Sequence, residues 1–240
     1  MNKIIIGVFV IILLYILYLY FFSNSSTVLV GMRDTATKVA VSSSAITPSA
    51  GSLNFTFSIW IFVSEWSNSG TAKYIFYRPN PSSNTSNALE MKFDSRINDI
   101  NISMDVLGTS TDGGSSNLTC SVENVPLQSW TNIIMTLNGK ALDLYLDGKL
   151  VRTCLLSGMP TWINSNAELI LPSSSGAKES SFQGYTSNFK YLPTSVNPRE
   201  AYAIYREGFG SGNWLSGMFS KYRIKMSFLE DNVEVNSFEM

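Results

Sequence analysis

Two tight-turn signals, Asn138-Gly139 and Asp147-Gly148, sit inside one short stretch, Trp130 to Leu156, WTNIIMTLNGKALDLYLDGKLVRTCLL. They separate three apolar-alternating runs, Ile133–Leu137, Ala141–Leu146 and Lys149–Leu155. Asn-Gly and Asp-Gly suit the positive-φ backbone of a type I′ turn, whose twist matches paired antiparallel strands. In the middle run Leu142, Leu144 and Leu146 face one way and Asp143 and Tyr145 the other, which is a strand with one buried face. Two hairpins in succession make an antiparallel meander, and the rest of the chain must fold around it.

The remaining strand signals agree. Leu53 to Val63, LNFTFSIWIFV, sets Phe55, Phe57, Ile59, Ile61 and Val63 on one face, with Thr56, Ser58, Trp60 and Phe62 on the other. Both faces turn apolar toward its end, so it reads as a central strand covered on both sides there. Thr27–Gly31, Thr37–Ser42, Lys73–Arg78, Ala88–Phe93, Asp99–Val106, Leu118–Val122, Ala167–Leu171, Phe182–Leu192, Tyr222–Leu229 and Val233–Val235 read as further strands. PREAYAIYRE, Pro198 to Glu207, is the one soluble helix signal, with proline suited to the first turn and Gly208 to the stop. Many short strands separated by loop signals indicate an all-β antiparallel sandwich.

Ahead of this lies Ile4 to Phe22, IIIGVFVIILLYILYLYFF, free of charge. As a helix it would be about 28 Å long, close to the hydrocarbon thickness of a bilayer. Aromatic residues crowd its C-terminal end, as at a membrane interface. A cleavable signal peptide would want a shorter apolar core and a small-residue cleavage site, so a retained single-pass transmembrane anchor is expected. Lys3 and the α-amino group precede the span, while Arg33 and Lys38 follow at greater distance. That places the N-terminus inside and the sandwich on the other side. The expected organisation is residues 1–3 as a flank, 4–22 as the anchor, 23–52 as a linker with first short strands, 53–208 as the sandwich, and 209–240 as a Gly-rich connector with a strand hairpin.

Composition removes several chemistries. The chain has no histidine, which takes away Ser-His-Asp and Cys-His dyads and the usual zinc sets. A net charge of −1 gives no bulk attraction to nucleic acid. Cys120 and Cys154 are the only cysteines. Two free thiols are one reading. A single disulfide is the other, favoured because a membrane-tethered β domain is often oxidised.

Three segments carry a family resemblance: FTFSIWIFVSEW (Phe55–Trp66), VPLQSWTNIIMTLNGKALDLYLDGKLV (Val125–Val151) and SFQGYTSNFKYLPTSVNPREAYAIYREG (Ser181–Gly208). In order and spacing they resemble the concanavalin A-like jelly-roll domains of laminin-G type. The resemblance covers Leu53 to Gly208 and implies a jelly-roll β-sandwich. A superfold of this kind hosts lectins, glycosidases, adhesion modules and structural proteins alike. With an N-terminal anchor, the chain is similar to membrane-tethered structural proteins of large icosahedral DNA viruses. That similarity implies a minor capsid or membrane-associated virion component, joining a capsid shell to an internal membrane. The lipid bilayer and capsid proteins are then its partners, and a cell-surface or endomembrane site is the other expectation.

The resemblance also implies sites to weigh. A glycosidase needs two carboxylates about 5–9.5 Å apart. Glu90 and Asp94, or Asp143 and Asp147, would stand about 13 Å apart along a strand, so no enzymatic activity is expected. Ca²⁺ is the one cofactor the resemblance suggests; Asp99, Asp105 and Asp112 are available, without a ligand spacing, and solvated loop acids are the plainer account. Trp66, Trp162 and Trp214 fall in or near loops, where a lectin-like adhesion module would stack sugar, whereas Trp60 and Trp130 read as core. Glycosylation sequons stand at Asn24, Asn54, Asn84, Asn101 and Asn117.

Overall fold

The computed structural model describes residues 12–17, 27–66, 70–81, 86–107, 115–161, 166–176, 179–210, 225–230 and 233–239. Two antiparallel sheets pack face to face. The first runs, edge to edge, β1 (Thr27–Val30), β13 (Gln183–Leu192), β4 (Phe55–Glu65), β9 (Thr131–Asn138), β10 (Ala141–Leu146) and β11 (Lys149–Leu155), with β2 (Arg33–Asp34) also pairing β13. The second runs β3 (Val39–Val41), β12 (Leu169–Leu171), β5 (Lys73–Pro79), β6 (Asn87–Phe93), β7 (Ile100–Leu107) and β8 (Ser115–Val122). The expected all-β sandwich is therefore observed. Residues 23–52, read from sequence as a linker with first strands, supply β1 to one sheet and β3 to the other, so the sandwich takes in the chain from Thr27.

Alternation along the strands builds the core. Phe55, Phe57, Ile59, Ile61 and Val63 of β4 point inward with Ile133, Met135 and Leu137 of β9 and Leu142 and Leu144 of β10. Opposite them stand Phe76, Leu89, Met91, Ile102 and Met104 of the second sheet. A smaller apolar cluster lies on the outer side of the first sheet. There Ile134, Tyr145 and Leu192 receive Ala201 and Ile204 of helix α1 (Pro198–Arg206). Asn197 caps that helix: its side chain accepts from the amides of Arg199 and Glu200, and Glu200 reaches back to the Asn197 amide.

The two hairpin signals resolve differently. At the second, Leu146 pairs Lys149, and both Asp147 (φ 49°) and Gly148 (φ 73°) are left-handed, as a type I′ turn requires. At the first, Asn138 is still in the strand and pairs Ala141, so Gly139 and Lys140 form the turn. Only Gly139 has positive φ, at 62°, which fits a type II′ turn rather than the expected type I′.

Cys120 on β8 is joined to Cys154 on β11, with Cα atoms 6.2 Å apart. These are edge strands of opposite sheets, so the bridge closes the open side of the sandwich. It closes a loop of 34 residues in sequence separation. Reduction, or Cys120→Ser with Cys154→Ser, is expected to cost about 3–4 kcal/mol on the chain-entropy model. Urea midpoints of oxidised and reduced protein measure it; coincident midpoints would contradict it.

The ends of the sandwich are distinct. β1 begins, β13, β9 and β11 finish, and β4 starts at one end, marked by Thr27, Leu192, Phe55, Gly139 and Leu155. Leu107, the last residue of β7, lies at this end too: the opposite end of that strand, Ile100, pairs Phe93, which touches Trp66 beyond the far end of β4.

The span expected at Ile4 to Phe22 lies outside the described residues except for 12–17, which are helical. Among the described residues no helix is long and apolar enough to cross a membrane. β14 (Lys225–Glu230) and β15 (Val233–Glu239) pair with each other, from Lys225 with Glu239 to Glu230 with Val233, and among the described residues with neither sandwich sheet.

Candidate functional site

The outer face of the first sheet carries a ribbon of aromatic side chains. Tyr185 of β13 pairs Phe62 of β4 in register, and Trp130 stands just before β9 on the same row. Ring centroids step from Tyr185 to Phe62 (6.4 Å), Phe62 to Trp130 (5.6 Å), Trp130 to Phe209 (4.5 Å, planes 6° apart) and Phe209 to Trp60 (5.9 Å). Trp60 stacks on Tyr205 of α1 at 5.5 Å, and Tyr205 meets Tyr202 at 6.0 Å. Trp60 is buried beneath this layer, whereas Phe62 and Trp130 are half-buried. Tyr185, Tyr202 and Phe209 are 41%, 50% and 39% exposed. Contiguous exposed aromatic surface is what protein and ligand contacts use.

The polypeptide fixes this ribbon by a defined set of bonds. Helix α1 ends where Gly208 adopts φ 79°. A bulge in β13 between Ser187 and Lys190 holds Asn188 at φ 50°, a conformation asparagine tolerates. Asn188 Nδ2 then donates to the Gly208 carbonyl at 2.8 Å, Ser187 Oγ donates to the Phe209 carbonyl, and Lys190 pairs with Glu207. The chain after the helix is thus clamped onto the sheet, and Phe209 is delivered over Trp130. Buried Asn132 supports the row, donating through Nδ2 to Ser58 Oγ at 3.2 Å. The ribbon lies toward the end of the sheet opposite Thr27.

The sequence pointed to different aromatics. Trp66 is not an open surface residue: its ring packs edge-on against Phe93 at 5.4 Å, and Lys73 Nζ sits 4.4 Å from its centre. It caps the far end of the core. Trp162 and Trp214 lie outside the described residues. Trp130, read as core, is half-exposed, because position 130 faces outward while Thr131 and Ile133 face in. Phe62 was visible as an apolar residue on the second face of the β4 signal. Tyr185 lies on the outward face of the Phe182–Leu192 strand signal, but nothing local marks it as part of a shared surface, and Phe209 gave no sequence signal because a clamped helix terminus brings it there.

Lys73 is 4% exposed, and burial lowers its pKa, partly countered by Asp94. Its Nζ makes no hydrogen bond among the described residues. Lys73→Met keeps the stem and removes the buried amine, so it is expected to raise stability by about 1 kcal/mol. Thermal unfolding checks this, and a loss of stability would show that the contact with Trp66 outweighs desolvation.

The carboxylates considered for catalysis or Ca²⁺ are held in structural bonds. Glu90 pairs Lys92 at 2.6 Å and accepts from Asn87 at 2.9 Å. Asp94 accepts from the Arg96 amide, Asp143 from Thr153 and Asp147 from the Asn132 amide. Asp99 accepts from the Asn124 amide and Asp105 from Asn80 Nδ2, both at 2.8 Å; Asp112 lies outside the described residues. Among the described residues no three acids or cysteines gather as a metal site. Of the sequon asparagines, Asn54 accepts from the Gly139 amide at 2.9 Å and Asn101 is half-buried in mid-sheet between Lys92 and Ser121. Asn117 lies in β8 opposite Asp105, and Asn24 and Asn84 fall outside the described residues.

A two-sheet antiparallel sandwich with one helix laid on its outer face is a lectin-like jelly roll. The chain belongs to the Laminin_G_3 family of the concanavalin A-like lectin/glucanases superfamily, whose model matches residues 33–202. No curated protein matches it in sequence. In structure it is similar to the receptor binding domain of botulinum neurotoxin D, at TM-score 0.54 and 13% identity, covering 75% of this chain and 44% of that one. It is also similar to the receptor binding domain of the botulinum neurotoxin C/D mosaic serotype, at TM-score 0.50 and 12% identity, covering 76% of this chain and 45% of the other. At that identity the likeness is one of fold. The chain spans less than half the length of these domains.

Proposed function

We propose that this protein is a non-enzymatic docking module, held to a bilayer by Ile4 to Phe22 and binding its partner through the aromatic ribbon on the first sheet. In a virion this arrangement ties a capsid shell to an internal membrane. The observation that carries the reading is the ribbon itself. Three of its seven rings remain exposed although the helix and three polar clamps hold it in place, and rigid aromatic surface ordered in advance loses little entropy on binding. The receptor-binding role named for the structurally similar toxin domains is in keeping with a binding module.

The experiment is crosslinking of the full chain in purified particles or membranes, followed by Trp130→Ala with Phe209→Ala. A capsid-type neighbour captured by wild type should be lost, with affinity falling more than about tenfold, the effect of removing two central aromatic anchors. Unchanged capture by the double variant would exclude the ribbon as the docking face.

The stacked Trp130–Phe209 pair, with Phe209 outermost and exposed, also favours a second reading, a membrane-anchored lectin-like adhesion module that stacks sugar rings. Glycan-array binding by the detergent-solubilised chain, abolished by the same double variant, would establish that reading over the first. Turnover of a β-glucan abolished at a carboxylate would overturn both.

A further inference from the structure

We infer that the end of the sandwich at which the chain enters rests on the bilayer, and that Leu107, Leu155 and Met159 dip into its headgroup zone. This rests on Ile4 to Phe22 being the membrane anchor. Only Ser23 to Ser26 separate that run from β1, and so few residues reach at most about 14 Å when fully extended. Thr27 pairs Tyr191 near the finish of β13, so the end marked by Leu192, Gly139 and Leu155 is the one held against the lipid.

That same end presents exposed apolar side chains. Leu155 is 74% exposed, Leu107 61% and Met159 55%. Leu107 and Met159 are neighbours by construction, and Leu155 lies four residues before Met159. The Leu107 amide donates to the Met159 carbonyl at 2.8 Å, and Val106 bridges Pro160. Gly158 permits the approach, since a Cβ there would lie 1.8 Å from the Leu107 carbonyl oxygen. Exposed Lys140 is brought alongside by the 2.8 Å bond from the Leu156 amide to its carbonyl, where a cation can meet lipid phosphate. Single exposed leucines are ordinary, but a bonded Leu107–Met159 pair, with Leu155 and a lysine at the same anchored end, matches an interfacial contact.

Geometry gives the contact a purpose. β1 and β11 are opposite edges of one sheet, roughly 24 Å apart at ordinary strand spacing. An anchor joined at one edge and an apolar corner at the other make two supports. Two supports fix the tilt of the domain and hold the aromatic ribbon off the membrane.

The test uses the full chain in phosphatidylcholine–phosphatidylserine vesicles containing a lipid with a diazirine near the glycerol backbone, with adducts mapped by mass spectrometry. Adducts are expected in residues 4–22 and on Leu107, Leu155 or Met159. Leu155→Asp with Met159→Asp should lower the second set roughly tenfold while leaving the first unchanged. Both sites are exposed, and near-ultraviolet circular dichroism checks that the double variant stays folded. Adducts confined to residues 4–22, or labelling of the corner that survives both substitutions, would overturn the proposal while leaving the anchor intact. Protein extracted by carbonate and free of adducts throughout would instead remove the anchor, and this inference with it.

Discussion

Phe57→Ala is expected to destabilise the sandwich by about 4 kcal/mol, the range measured for deleting a buried phenyl ring. Phe57 is 1% exposed and stands where both sheets meet. Its ring lies 5.6 Å from Phe55 and Phe76, 5.8 Å from Phe189 and 5.1 Å from Tyr191, so it contacts β4, β5 and β13 together. Removing it opens a cavity between two hydrogen-bonded sheets, whose backbones cannot close over the space. Phe57→Leu restores most of the volume and should cost only about 1.5 kcal/mol. Urea unfolding of the disulfide-bonded protein measures both. An alanine variant within about 1 kcal/mol of wild type would mean the core relaxes in a way close packing does not allow.

Gly184→Ala should be at least as damaging, for a reason that lies in the backbone. Gly184 opposes Val63 beside a bulge, at φ 151°. A Cβ there would stand 1.9 Å from the Phe62 carbonyl oxygen and 3.1 Å from the Ser64 amide nitrogen, both backbone atoms of the central strand. Relief requires β13 to part from β4, and a cost of about 4 kcal/mol or more follows from strained dihedral plus overlap. Thr35 is tied to the same residue: its amide donates to the Gly184 carbonyl and its Oγ1 accepts from the Gly184 amide, each at 3.0 Å, so the segment after β2 loosens too. Gly139→Ala is the internal control. That residue is also left-handed, at φ 62°, but nothing lies within 4 Å of a Cβ, so only about 1 kcal/mol is at stake. Soluble yield and urea midpoints of the two variants should differ sharply; equal losses would show that dihedral strain alone governs both sites.

Binding effects need a separate account from these stability effects. Trp130 and Phe209 lie outside the main core, so their loss should move affinity far more than the unfolding midpoint. Phe57 and Gly184 should do the reverse, provided the folded fraction is allowed for.

Much of the fold was written locally. Period-two alternation in Phe55–Val63 and Ala141–Leu146, the Asp147-Gly148 turn and the Pro198–Gly208 helix depend on neighbours a few residues away, and each stands in the structure near where the residues indicated. The wider apolar face at Trp60 and Phe62 also announced a strand covered on both sides. Sequence was less able to place what rests on side-chain company. Trp66 and Trp130 carry the same indole, yet Trp66 caps the core beside Phe93 while Trp130 lies outside under Phe209.

Local pattern therefore determined the strands, the fold class and an apolar run long enough to span a bilayer, because hydrophobic spacing and turn chemistry act over a few bonds. Tertiary structure alone decided which edge strands the cysteines join, that residues 27–52 belong to the sandwich, and that Tyr185, Phe62, Trp130 and Phe209 form one surface. Those outcomes depend on sheet register, on a bulge at Asn188 and on where a helix is clamped. Residues from 20 to more than a hundred positions apart in sequence set them jointly, and no short window of the chain contains every partner.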